Sequence, residues 1–224
     1  MQEDLRALES VLGEEGRGVQ AAREALAGAA EAVRLSEVCM RYLTVDPGTT
    51  QSAYCGMRED YSLITAAKVD NDKLMQLINL GGYDALVIEC MEARTLNVKK
   101  LKPGEKPLPP QKIGDETYET CIWIGRFMEA AIRRNMAVYR VGRSEERKRL
   151  IPSKKNGLEP LPEPVPKSVD AQIRLSLIRR FAKHDKVTGK GKKASPDVFY
   201  GFKTDMWNAF AVGVVHLDKT QEGG

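Results

Sequence analysis

The order of apolar and polar positions divides the chain into a helical stretch, a strand-rich stretch and an alternating remainder. Residues 2–35 carry helical spacing: Leu5, Leu8 and Leu12 share a face, GEEGRG interrupts, and Val19, Ala22, Leu26, Ala29 and Val33 resume the stripe. The stripe is narrow and rich in alanine, so residues 1–38 are expected to be a helical extension that packs or pairs but carries no chemistry. From Arg41 the pattern becomes that of strands. RYLTVD is an apolar run ending in a carboxylate, PGTTQ is a turn, and SAYCGM and YSLITAAKV flank a polar turn as hairpin arms do. NDKLMQLINL has helical spacing, with Asn71 the expected cap and Gly81-Gly82 the stop. DALVIEC, ending near Glu89, reads as a strand buried on both faces.

The remainder alternates. A proline-interrupted loop, KKLKPGEKPLPPQKIG, leads to a helix expected from about Asp115 to Asn135, and MAVYRVG supplies a fifth strand. PSKKNGLEPLPEPVPK is a second such loop; nine of the eleven prolines fall in these two, which marks them as excursions from a core. DAQIRLSLIRRFAKH, with Asp170 as the expected N-cap, and TDMWNAFAVGVVHL, opening at Thr204 or Asp205, are the closing helices. The order implies an α/β domain over 39–218, built on a mixed five-stranded sheet flanked by helices, with a disordered tail at 219–224.

Composition narrows the chemistry. A chain of 224 residues can bury one substantial core plus an appendage. No apolar run reaches the roughly 18 residues of a membrane span. Glu3, Asp4 and Glu9 stand where a secretory signal needs basic residues, so the cytoplasm is the expected compartment. Cys39, Cys55, Cys90 and Cys121 form no CxxC pair, which suggests neither a zinc site nor a disulfide frame. Two histidines, His184 and His216, leave little material for nucleophilic catalysis. The net charge of +4 conceals an asymmetry: residues 1–36 hold four Arg and seven Asp/Glu, whereas residues 133–193 hold eighteen Lys/Arg and six Asp/Glu. A basic block of that size is either a solvated surface or the footprint of a polyanion.

Carboxylates stand at strand and helix ends. Asp46 closes the first strand before a Pro-Gly turn, and Glu89 closes the fourth; a charge at the rim of so apolar a core needs a cation nearby. Hard oxygen ligands select magnesium or manganese. Asp205 is the candidate third ligand, with Asn208 at i+3 on the same helical face. Two such ions about 4 Å apart would suit an in-line phosphodiester displacement. Each acid also has a plain structural role open to it: Asp46 in the turn, Glu89 paired with an arginine such as Arg94, and Asp205 as a helix cap.

At these residues a family resemblance appears. YLTVDPGTTQSAYCGM resembles the first strand and turn of RuvC-type Holliday junction resolvases, DALVIEC their fourth strand with its catalytic Glu, and TDMWNAFAVGVVHL their last helix. ETCIWIGRFMEAAI, VYRVGRSEERKRL and DAQIRLSLIRRF resemble more particularly the resolvases of this type encoded by bacteriophages. The resemblance spans residues 40–217 and implies a ribonuclease H-like fold and a magnesium-dependent endonuclease, with two ions expected and manganese able to substitute. It places Asp46, Glu89 and Asp205 as metal-binding acids. Asn208 stands where bacterial RuvC has a fourth acid, so a second ion would be held weakly, another acid such as Asp170 or Glu92 would substitute, or activity would be lost. The kinase-type phosphate loop, which DPGTT also resembles, belongs to enzymes that pair two such domains, and 224 residues are too few.

The implied substrate is branched DNA, with a phage protein acting in a bacterial host cell. Arg140, Arg143, Arg147, Lys148, Arg149, Lys154 and Lys155, then Lys186, Lys190, Lys192 and Lys193 on a loop expected to be flexible, would neutralise phosphates without reading bases. Phe199, Tyr200 and Phe202 are candidates for base stacking or for core packing, and Trp123 and Trp207 for the core. A four-way junction is two-fold symmetric, so a homodimer is expected, through the helix around GRFMEAAIRR or the N-terminal one. The main rival is a non-catalytic branched-DNA-binding protein on the same fold.

Overall fold

A computed structural model describes residues 39–92 and 114–223; the N-terminal extension and most of the first proline-rich loop lie outside the described residues. The first three strands, β1 (Arg41–Asp46), β2 (Gln51–Arg58) and β3 (Leu63–Asp70), form an antiparallel meander. α1 (Asn71–Leu80) leads to β4 (Ala85–Cys90), which lies parallel to β1, and α2 (Asp115–Arg133) leads to β5 (Ala137–Gly142), parallel to β4. The sheet order is β3-β2-β1-β4-β5, so the two most apolar strands occupy the middle and its flank. α3 (Arg143–Leu150), α4 (Val169–Phe181) and α5 (Thr204–Glu222) complete the chain, with a two-stranded ribbon of β6 (Gly191–Lys192) and β7 (Ser195–Pro196) before α5. This mixed five-stranded sheet with helices on both faces is the ribonuclease H-like architecture expected from the sequence.

The two-residue period of the strands sorts side chains between the faces. Leu43, Val45, Leu86 and Ile88 are fully buried against Leu74 and Ile78 of α1 and Ile124 and Phe127 of α2. Tyr42, Ala85 and Val87 point the other way, into a core with α4 and α5. Burying each large aliphatic side chain stabilises the fold by roughly 1.5–3 kcal/mol. Thr44 faces α5 as well, donating its hydroxyl to the Ala209 carbonyl at 2.7 Å. By the same alternation Asp46 and Glu89, two residues beyond Thr44 and Val87, emerge on the α5 face. α5 can lie this close because it is lined by Ala209, Ala211 and Gly213, all buried or on its buried face. A Cβ at Gly213 would stand 2.4 Å from Met57 Sδ and 2.7 Å from Thr44 Cγ2.

Several local expectations are corrected. Asn71 does not cap α1, since Asp70 holds the cap position. Asn71 is instead buried, accepting from Ser52 Oγ at 2.6 Å and donating to the Gly48 and Thr49 carbonyls at 3.0 and 3.2 Å, which ties down the turn after Asp46. Nor does Asp170 cap α4; Ser168 Oγ accepts the Ala171 N–H at 3.2 Å. α3 was not foreseen, because RSEERKRL has one apolar residue and so no stripe. The lysine-rich loop before α5 is folded around two carboxylates. Asp197 accepts backbone N–H groups from Lys183, His184, Asp185 and Val198, and Asp185 accepts from Val187, Thr188 and Gly191. The Thr188 hydroxyl bonded to Asp185, together with these backbone bonds, which outweigh the burial of Asp197, holds both acids well below the usual carboxylate range. Finally, the expected tail is helix through Glu222, which pairs with Arg149 at 2.9 Å, while Lys219 pairs with Glu145 at 2.9 Å. No helix among the described residues is long and apolar enough to cross a membrane.

Candidate active site

β1 and β4 run side by side and parallel, so their C-terminal carboxylates reach one rim of the sheet together. Asp46 and Glu89 stand close enough there for each to shift the other's proton affinity. With Gly48, Thr49 and the first turns of α2 (Glu116, Thr117) they line a cavity of about 360 Å³. Burial pushes both acids up to about 7; for Asp46 the charge of Glu89 adds to the rise, and for Glu89 that of Glu146. Two adjoining carboxyls titrating near neutrality hold one proton between them or attract a cation.

Asn208, one turn into α5, donates Nδ2–H to Asp46 Oδ2 at 3.1 Å, which partly offsets the rise. Asp205 stands a turn earlier on the same helix, but its carboxylate is taken by Lys68 of β3, with Nζ 2.5 Å from Oδ2. Two of the three expected ligands are therefore adjacent, and buried oxygen donors of raised pKa suit a hard divalent cation. The third is engaged elsewhere: among the described residues no group of three or more His, Cys, Asp or Glu is placed to hold a metal ion.

On the far side of Glu89 lies a residue set that periodicity did not reveal. Arg143, the first residue of α3, directs Nη1 to Glu146 Oε2 at 2.5 Å and lies 3.9 Å from Glu89 Oε2, while Nη2 bonds to Asp170. Glu146 is fully buried, its Oε1 has no hydrogen-bond partner among the described residues, and burial pushes it up to about 7 against the opposing pull of Arg143. The i,i+3 spacing of Arg143 and Glu146 was the available signal, but only once α3 is known to be a helix. Lys68 was legible in another way. Register pairs it with Ala53, and Ala53 with Asp46, so all three share a face.

The remaining candidates divide. Arg143 is largely buried, and its partners are three acids. Asp170 is thereby a partner of Arg143, and Glu92 accepts from Ser144 N and Oγ, closing the open end of α3. Arg149 is matched by Glu145 and Glu222. Arg147, Lys148, Lys154, Lys155, Lys192 and Lys193 are exposed and Lys190 is half-buried. Lys186 donates to the carbonyls of Arg179 and Ala182 at the end of α4. Phe199 and Phe202 are buried against Trp207 and Phe210, so they are core, whereas Tyr200 is exposed. Trp123 is partly buried beside Phe127, under the Arg126 guanidinium. His184, Ser195 and Asp197 lie near one another, yet Nδ1 is 3.7 Å from Asp197, whose carboxylate is committed to backbone N–H groups, so no nucleophilic triad is formed.

No protein-family model and no curated protein matches the chain. Among solved structures it is similar to Thermus thermophilus RuvC in complex with a Holliday junction substrate, at 11% identity and a TM-score of 0.49 over 82% of this chain and 96% of that one. A second Thermus thermophilus RuvC structure gives 14% identity and 0.46 over 82% and 97%. The fowlpox virus resolvase in complex with its Holliday junction DNA gives 14% and 0.45, over 81% of this chain and 99% of that one.

Proposed function

We propose that the chain is a divalent-cation-dependent endonuclease that cleaves branched DNA, Holliday junctions included, with magnesium the working ion and manganese able to replace it. The observation that supports this reading is the pair of buried carboxyls, Asp46 and Glu89, held side by side at one rim of the sheet. A hard cation bound by Asp46 and Glu89, with Asp205 as the further acid, would supply the positive charge that displacement at a phosphodiester demands. The chain itself supplies the remainder. Asn208 orients Asp46 through its amide, Arg143 holds Glu89 from the opposite side, and Asn71 fixes the Gly48–Thr49 turn that walls the cavity. Arg147, Lys148, Lys154, Lys155, Lys192 and Lys193 would contact phosphates, which gives structure-selective rather than sequence-directed binding.

A homodimer completes the proposal, since two symmetric incisions need two sites. Its interface is assigned to α2, where Tyr118, Ile122 and Ile132 are 57%, 61% and 56% exposed along a helix whose opposite side packs on the sheet. Asp46→Asn and Glu89→Gln are each expected to lower cleavage of a labelled synthetic four-way junction by at least about a hundredfold, with junction affinity kept within about threefold of wild type. Unchanged cleavage by either variant rejects the assignment. A second reading, junction binding without cleavage, draws on Asn208 in place of an acid and on the engagement of Asp205 with Lys68. Tight binding with no nicking in either magnesium or manganese would select it.

A further inference from the structure

Lys68 stands third from the end of β3, a strand that gives the site nothing else. Its register partner Ala53 is also that of Asp46, so Lys68 and Asp46 sit two strands apart on the face that α5 covers. Between them, at the start of α5, comes Asp205, one helical turn before the Asn208 that donates to Asp46. The helical spacing thus turns Asp205 and Asn208 toward the same rim. Asp205 nevertheless places its carboxylate on the Lys68 ammonium, at 2.5 Å, while Asp46 takes the Asn208 amide. Lys68 carries one positive charge to the place where a third acidic ligand would otherwise be available, and the charge is mounted on a flexible four-carbon stem that can leave.

We infer that Lys68 is a built-in competitor for Asp205, a positioning residue that keeps this acid from the Asp46–Glu89 pair until a divalent cation displaces its ammonium. The inference rests on the cation-binding reading above and deepens it. As an ion pair alone the Lys68–Asp205 contact would matter little, since its two side chains are 40% and 37% exposed and such pairs are worth little and are screened by salt. A competitor has a definite sign. Removing its charge frees Asp205 and tightens cation binding, whereas a lysine that merely orients Asp205 for the ion would, on removal, weaken it.

The test is manganese binding to the intact protein without DNA, followed by electron paramagnetic resonance of the free ion at low ionic strength. Lys68→Met is expected to bind manganese about three- to tenfold more tightly than wild type, an advantage that shrinks as salt is added. Lys68→Arg, which keeps the charge, is expected to match wild type. In an Asp205→Asn background the gain from Lys68→Met should largely disappear, because the contested carboxylate is gone; the cycle isolates the Lys68–Asp205 coupling from any general effect of the charge. Equal or weaker binding by Lys68→Met, or an undiminished gain in the Asp205→Asn background, overturns the role of Lys68 while leaving the cation site standing. Absence of manganese binding in both wild type and Lys68→Met overturns the cation site and the role of Lys68 together.

Discussion

Asp46 and Glu89 carry a large electrostatic cost at the level of single residues. Both are pushed to about 7 in the folded chain, mainly by burial, against ordinary carboxylate values near 4 when unfolded. Between those limits the folded state holds protons that the unfolded chain has released. Their contribution to stability is therefore fully present below about pH 4 and is lost as pH rises through about 7. Asp46→Asn removes one of the two charges and should raise the melting temperature at pH 8 by roughly 2–4 °C, with the gain fading toward pH 5. A melting temperature that falls at pH 8 would show that the pair is not strained. Asn208→Asp should move the other way, lowering stability at pH 8, because it exchanges the amide donor to Asp46 for a further negative charge. The candidate site thus holds its acids at a cost in stability, a common trade-off.

At the scale of elements, α5 decides how close the acids come to Asn208. It packs against β1 and β2 through small residues, and the Thr44 hydroxyl bonded to the Ala209 carbonyl fixes its register. Gly213→Ala is expected to cost about 1–3 kcal/mol, since the new methyl has only the Met57 thioether and the Thr44 methyl to displace. The urea midpoint reports it, and a neutral result would mean that the Met57 side chain moves aside freely. β1, β4 and α5 were legible in the sequence because their apolar runs end in chemistry-bearing residues, which is why Asp46 and Glu89 could be named and are found together. α3 was not legible, because its stability comes from contacts rather than from a stripe: Glu92 at its start, Leu150 in the core, and Arg149 tied to α5. Glu146 and the acidic partners of Arg143 were consequently not legible either. Asn71 and Asp170 mislead for a related reason. Cap-type residues satisfy whichever donors and cations the tertiary fold brings near, and here these were the Gly48–Thr49 turn and Arg143.

Across the whole molecule the sum of charges says little about binding, because many cations are already spent. Arg143, Arg149, Arg179 and Arg180 are each paired with acids, so the basic block of residues 133–193 presents fewer free charges than its composition suggests. The ribbon before α5 differs. Lys192 and Lys193 lie at its exposed tip, with no carboxylate partner among the described residues. The ribbon's shape is set from within by Asp185 and Asp197 and by glycines that cannot be replaced: Gly191 has φ +66°, and a Cβ there would meet the Ser195 carbonyl at 2.4 Å. A rigid basic arm loses less entropy on binding a backbone than a flexible loop would. If its two lysines each neutralise one phosphate, replacing both with alanine should reduce the slope of log K against log salt for a four-way junction by about 1.8, at about 0.9 per contact on duplex arms. Arg149→Ala, which removes a cation already matched by Glu222 and Glu145, should change that slope far less. A loss from Arg149→Ala of about half that size, the same per charge removed, would mean that total charge rather than the folded ribbon governs binding, and an unchanged slope in the double-lysine variant would remove the ribbon from the DNA surface.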